Sequence, residues 1–184
     1  MLRAALIAAV AALAACAGAP ARRGPPLPQN IHKLAILPIV NKTQQPGMED
    51  QLTAAVRDEF LRDARHPLVP HNESDGDVLI TITRYILTPL QYDSNLNPMT
   101  YRLHVNLEVQ LVDRAAAKPV WDEKGLEASI SYPYVSFTGG LSEDAARQTL
   151  WAILAPMVVG RVVDGFGATD AAAPVNPNPP TNTP

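Results

Sequence analysis

"YRLHVNLEVQLVD", Tyr101 to Asp113, is the stretch on which the fold turns. Tyr101, Leu103, Val105, Leu107, Val109 and Leu111 alternate with Arg102, His104, Asn106, Glu108 and Gln110. Successive side chains of a strand point to opposite faces, so this alternation describes a strand packed on one side and wet on the other. At roughly 3.3 Å per residue it reaches about 40 Å, well beyond an ordinary strand. Upstream, "DVLITITRYIL", Asp77 to Leu87, places Val78, Ile80 and Ile82 on one face and Leu79, Thr81, Thr83 and Tyr85 on the other. Downstream, "PVWDEKGLEASISY", Pro119 to Tyr132, follows the short turn "RAAAK" and is the expected antiparallel partner.

A sheet with one apolar face needs a cover. From Met48, the positions Met48, Leu52, Ala55, Val56 and Phe60 mark one face of a helix, with Glu49 and Asp50 in its first turn, where carboxylates suit the helix dipole. Pro67 predicts a stop near Asp63, because proline disfavours helical geometry in the residue before it. A second helix begins after Ser142, a good N-cap followed by Glu143 and Asp144. Its expected buried stripe is Leu150, Ile153, Leu154, Met157 and Val158, with a kink at Pro156. "KLAILPIV", Lys33 to Val40, reads as one buried strand, and "PLVP", Pro67 to Pro70, as a brief one. The expectation is an α+β two-layer sandwich: two helices on one face of a mixed, mainly antiparallel sheet of four to five strands.

Between the first strand and first helix lies "NKTQQPG", Asn41 to Gly47. Asn41-Lys42-Thr43 matches a glycosylation acceptor, but its composition is that of a turn: Asn41 and Thr43 can bond nearby backbone, and Pro46 and Gly47 redirect the chain.

The ends have a different character. "MLRAALIAAVAALAA" holds one charge, Arg3, ahead of an apolar run, so residues 1–15 read as a signal peptide, too short to span a bilayer as a mature helix. The run closes in "LAAC", Leu13 to Cys16, which resembles the lipobox of bacterial lipoproteins, with Cys16 as the acylated first residue of the mature chain. Ordinary cleavage at the small-x-small patterns of residues 12–14 or 15–17 is the alternative. Cys16 is the only cysteine of the 184 residues, so it has no internal disulfide partner, and lipidation gives the thiol a use. Acyl chains bury roughly 0.8 kcal/mol per CH₂, enough for several chains to hold the protein on a membrane. Ala17 in place of aspartate after the cysteine is the sorting signal expected for the outer membrane. Residues 16–30, rich in proline and small residues, read as a flexible tether, and residues 168–184, with no apolar periodicity, as a disordered tail. That leaves residues 31–167 as one domain.

Chemistry is thinly represented. His32, His66, His71 and His104 have no metal-ligand spacing. "HNESDGD", His71 to Asp77, lacks the acidic order of a calcium loop, and "FTGGLSED" lacks the Gly-Lys-Ser/Thr of a phosphate loop and opens its helix with two carboxylates. No G-x-S-x-G nucleophile elbow occurs. Neither a catalytic residue nor a cofactor or metal is expected, and a formal charge of −3 argues against nucleic acid as a partner.

The order of these pieces resembles the LptE family of lipopolysaccharide-assembly lipoproteins. The likeness is carried by Leu27, Pro28, Ile31, Pro38, Asn41, Thr43, Pro46, Gly47, Glu49, Leu52, Thr53, Glu59 and Phe60. It continues through "DVLITITRYILTPLQYD" and "TYRLHVNLEVQLVD" to "VW" and "SY", covering nearly all of Leu27 to Gly165. The resemblance implies an outer-membrane lipoprotein that plugs and helps assemble an LptD-like β-barrel and takes part in placing lipopolysaccharide in the outer leaflet. It also implies lipopolysaccharide contact through basic residues. The loop "YDSNLNPMT" has no lysine or arginine, so the candidates by polar-face or loop position are Arg84, Arg102 and Lys124, for each of which a solvated charge is the alternative. The competing readings are an adaptor or structural subunit of another envelope export or secretion complex, a periplasmic lipid-binding protein acting alone, and a hydrolase.

Overall fold

A computed structural model describes residues 27–165 of the chain. In order, the elements are β1 (Leu34–Ile36), β2 (Val40–Asn41), α1 (Glu49–Asp63), a 3₁₀ turn (His71–Glu73), β3 (Gly76–Tyr92), β4 (Pro98–Asp113), β5 (Lys118–Pro133) and α2 (Glu143–Asp164). They form the expected α+β arrangement, with two helices against a mixed, five-stranded open sheet. β3, β4 and β5 pair antiparallel, while β1 and β2 lie in turn along the outer edge of β3, both parallel to it.

The core is the sum of three amphipathic patterns. Leu103, Val105, Leu107, Val109 and Leu111 of β4 are fully buried. Val78, Ile80 and Ile82 meet them from β3, and Leu126 and Tyr132 from β5. Met48, Leu52, Val56 and Phe60 close the α1 side. The buried surface of α2 is broader than the expected stripe. Leu150, Leu154 and Val158 are buried, but so are Trp151, Ala155, Val159, Val162 and Val163, while Ile153 and Met157 stand at the margin. A helix wedged between a sheet and a second helix buries more than half its circumference. It continues through Pro156, which is exposed.

The strand expected over Lys33 to Val40 is two. Pro38 has no N–H to give to a ladder, and the pairing with β3 lapses at Leu37 to Ile39 before resuming at Val40. At "PLVP" only a single bridge forms, between Leu34 and Leu68. The turn after β2 is held as its composition suggests. Asn41 Oδ1 accepts from the Thr43 N–H at 2.9 Å and its Nδ2 donates to the Gln45 carbonyl at 2.7 Å. Gly47 then takes φ +78°, a conformation that costs glycine least. Glu49 opens α1, and its carboxyl is held below the usual range by its own backbone N–H and the Asn41 side chain.

The expected face of Tyr85 is reversed. Ile82 pairs with Leu107 and Arg84 with Asn106, so Thr83 is an extra residue in β3. Such a bulge changes which residues face inward. Before it, Val78, Ile80 and Ile82 face the core; after it, Tyr85 and Leu87 pack against the core and Arg84, Ile86 and Thr88 turn outward. A second irregularity, where Leu107 pairs with Leu126 but Val109 with Glu123, puts two β5 residues, Lys124 and Gly125, opposite Glu108 alone.

Candidate functional site

The sheet surface away from the helices presents rows of polar side chains from three strands. Cross-strand register sets its rows: Thr88, Arg102 and Ser131; Ile86, His104 and Ser129; Arg84, Asn106 and Glu127. The middle of this face is a connected network. His104 Nε2 lies 2.6 Å from Asn106 Oδ1, which only accepts, so Nε2 carries the proton. Asn106 Nδ2 donates to Glu127 Oε2 at 3.0 Å, and His104 Nε2 lies 3.6 Å from the same oxygen. One row away, Lys42 extends from the turn after β2 to Glu108, at 3.8 Å.

The three basic candidates share this exposed side of the sheet but do not converge. Arg84 is exposed immediately after the bulge, with Asn106 opposite. Arg102 is exposed on β4, with Nε 3.4 Å from Ser131 Oγ. Lys124 sits in the β5 irregularity, its side chain 74% exposed and its Nζ 3.5 Å from Asp122 Oδ2. Along β4, the rows of Arg102 and Lys124 are six residues apart, roughly 20 Å. Interspersed carboxylates from Glu108, Asp122 and Glu127 keep the face mixed in sign. This arrangement holds water and offers scattered charge-assisted contacts; it does not enclose a phosphate. Cys16, the expected lipid-attachment residue, lies outside the described residues, as do the signal peptide, most of the tether and the tail. Of the tether, Leu27 packs against the core and Asn30 Nδ2 donates to Asp113 Oδ2 at 2.7 Å.

The His104–Asn106–Glu127 network was not legible as a unit. His104 and Asn106 are two apart on one strand, a spacing any wet face shows, whereas Glu127 joins them only through the β4–β5 register. Elsewhere, Ser74, His71 and Asp77 meet at the start of β3, and the contacts decide what they do. Asp77 Oδ1 accepts from Ser74 Oγ at 2.8 Å and lies 3.0 Å from His71 Nδ1, while Ser74 Oγ also donates to the His71 carbonyl. The hydroxyl is bonded to the acid and a carbonyl and not to the imidazole, so the three do not stand in the serine–histidine–acid order of a nucleophile relay. These bonds satisfy Asp77, which is only 6% exposed. A nearby cleft of about 390 Å³, lined by Asn30, Ser74, Asp75, Arg114 and Ala115, is likewise committed to its own structure. Asp75 accepts from the His32 and Lys33 N–H groups, and Arg114 donates to the Asn72 and Ser74 carbonyls. Among the described residues no group of three His, Cys, Asp or Glu could hold a metal, and no helix is long and apolar enough to cross a membrane.

Comparison with known proteins gives the chain a family. The model of the lipopolysaccharide-assembly family LptE matches residues 31–164. Among solved structures, the CT253 protein of Chlamydia trachomatis superposes with a TM-score of 0.51 at 13% identity, covering 72% of this chain and 95% of that one. Rare lipoprotein B from Shewanella oneidensis gives a TM-score of 0.43 at 12% identity, over 70% of this chain and 92% of that one. Lipoprotein GNA1162 from Neisseria meningitidis gives 0.43 at 16% identity, over 71% and 96%. At these identities the Chlamydia likeness speaks for the fold alone. Among curated proteins, none matches this sequence.

Proposed function

The chain belongs to the LptE family of lipopolysaccharide-assembly proteins, and on that premise we propose that it is an outer-membrane lipoprotein, anchored through Cys16, that plugs and helps assemble an LptD-like β-barrel. In this role it takes part in passing lipopolysaccharide to the outer leaflet. The observation that carries the reading is the two-sided sheet. Over much of their length, strands of 16 and 17 residues keep one face packed under the helices and the other wet and mixed in charge. The interior wall of a large outer-membrane barrel is polar and hydrated, so a rigid element with a polar face can stand inside it without desolvating unpaired charge. Arg84, Arg102 and Lys124 are proposed as scattered lipopolysaccharide contacts along that face, each a single charge-assisted bond to phosphate.

The test is recovery of the partner. Affinity purification of the full-length lipoprotein from detergent-solubilised outer membrane should bring down a β-barrel protein in near-equal amount, and depletion of the lipoprotein should lower the folded barrel. Recovery of the lipoprotein without any barrel would overturn the assignment.

A further inference from the structure

The three long strands outrun their helical cover. Tyr85 Oη donates to Glu143 Oε1 at 2.7 Å, which sets the first turn of α2 level with Tyr85. Beyond that level β3 and β4 continue to the turn joining Tyr92 and Pro98, flanked by the segment after β5. Exposed large apolar side chains gather on these pieces: Leu90 (39%), Tyr92 (51%), Leu96 (80%), Tyr134 (39%) and Val135 (55%). Charge is almost absent from them. Leu90 to Tyr101 contains one Asp, Glu, Lys, Arg or His, Asp93, and Tyr132 to Leu141 contains none.

The tip is also held in shape. Asp93 accepts from the Asn95 and Asn97 N–H groups, each at 2.8 Å, and from Asn97 Nδ2 at 3.1 Å. These bonds keep its carboxyl below the usual range and occupy the only charge there. Leu96 stands in the left-handed region at φ +63°, a costly backbone conformation for a leucine. Tyr101 is bracketed by Tyr132 at 6.1 Å and, edge-on, by Tyr134 at 5.6 Å. On the other flank, Gly140 passes so close to the Tyr134 carbonyl that a Cβ there would lie 2.0 Å from its oxygen. Leucine presented to water on a fixed turn loses little further conformational freedom when it is buried by something else.

We infer that this hairpin tip, centred on Leu96 with Tyr92, Tyr134 and Val135, is a docking knob that seats in a local uncharged, apolar pocket within the otherwise polar wall of the barrel proposed above. The inference rests on that proposed partnership and names the surface that makes it tight. None of the described residues covers the tip, and Leu27 and Asn30, where the tether enters the domain, lie beside Val163 and Asp113, at the other end of β4. Charge composition selects a protein pocket over a lipid surface, because membrane-surface segments draw on Lys and Arg to meet anionic headgroups and this tip has neither. Tyr92 and Tyr134 are of the residue type enriched at interface hot spots, and the polar Asn95 and Asn97 flank Leu96 in the turn.

The test uses the full-length lipoprotein co-purified with its barrel. The double substitution Leu96→Asp with Val135→Asp touches only side chains already exposed, so the thermal melt should stay within a few degrees of the parent. Recovered barrel should fall about tenfold or more. Raising salt to about 0.5 M, which screens charged contacts, should leave parent recovery unchanged. A photo-reactive amino acid in place of Leu96 should cross-link to the barrel. Undiminished recovery with the double variant would overturn the docking knob while leaving the proposed partnership intact, and so would a cross-link at position 96 to lipid alone. Absence of barrel from the parent preparation would overturn both.

Discussion

Tyr85 shows how much one side chain can join. Its ring lies among the core residues behind the bulge, and its hydroxyl reaches Glu143 in the first turn of α2. Burial first, and then the adjacent carboxylate, push its pKa well above the usual value of 10. An acid whose folded pKa is raised contributes stability that is complete below its ordinary value and lost as pH rises through the folded one. Stability should therefore decline above about pH 10, and less so in Tyr85→Phe. At pH 7 that variant should lose about 1–2 kcal/mol, the range for a partly buried hydrogen bond to a charged group. Urea unfolding would show this as a lower midpoint at unchanged slope; an unchanged midpoint would mean that water replaces the bond without loss. Nothing in "TITRYIL" announces this role. Read by strict alternation, Tyr85 falls on the wet face, and only the pairing of Arg84 with Asn106 reveals the shift.

At the scale of elements, periodicity was a good guide wherever each residue kept step with its neighbours. β4 and both helices fall where apolar spacing and capping place them, including Ser142, whose Oγ accepts from the Ala145 N–H at 3.2 Å. Where the chain slips by one residue the pattern gives no warning. Thr83 bulges without a glycine or proline to mark it, and Pro38, visible inside the apolar run of Lys33 to Val40, divides that run into two strands. The Thr83 bulge can be tested by removal. Deleting it should leave Ile82 opposite Leu107 and Arg84 opposite Asn106, with Tyr85 and Leu87 still facing the core and Arg84 and Ile86 still outward, because the strand then alternates without a break. What is lost is the Thr83 Oγ1 bond to the Asn106 carbonyl and the local twist, so a circular-dichroism melt should stay cooperative and fall by no more than about 10 °C. Loss of cooperative unfolding in the deletion variant would mean that the twist of the bulge is itself needed to seat β3.

Over the whole molecule, half-buried carboxylates set the acid limit. Asp75 is held below the usual range by the Lys33 and His32 N–H groups, Asp113 by the Ala116 N–H and then Asn30, and Asp63 by Arg65. Glu49 and Asp93 are lowered in the same way by turn and helix-start donors. Groups with depressed folded pKa values stabilise the fold above their ordinary values, and that contribution is lost as pH falls through the folded ones. The melting temperature should thus be nearly flat from pH 7 to about pH 5 and fall below about pH 4. A melt insensitive to pH down to about 2 would show these bonds to be neutral. The overall fold was legible because long amphipathic strands leave few alternatives. The candidate face was legible only as polar, since its partnerships join residues 20 and more positions apart in sequence, as Asn106 with Glu127 does.

The free side of β5 has a last consequence. It ends in Pro119 and Pro133, carries Asp122, Glu123, Lys124 and Glu127, and is irregular opposite Glu108. Such a margin is a poor template for another strand, because proline, charge and bulges all interrupt ladder growth. Lipid anchoring through Cys16, as proposed, would confine many copies to two dimensions, where neighbours collide far more often than in free solution. The frayed border of β5 lets them crowd on that surface without zipping into fibres.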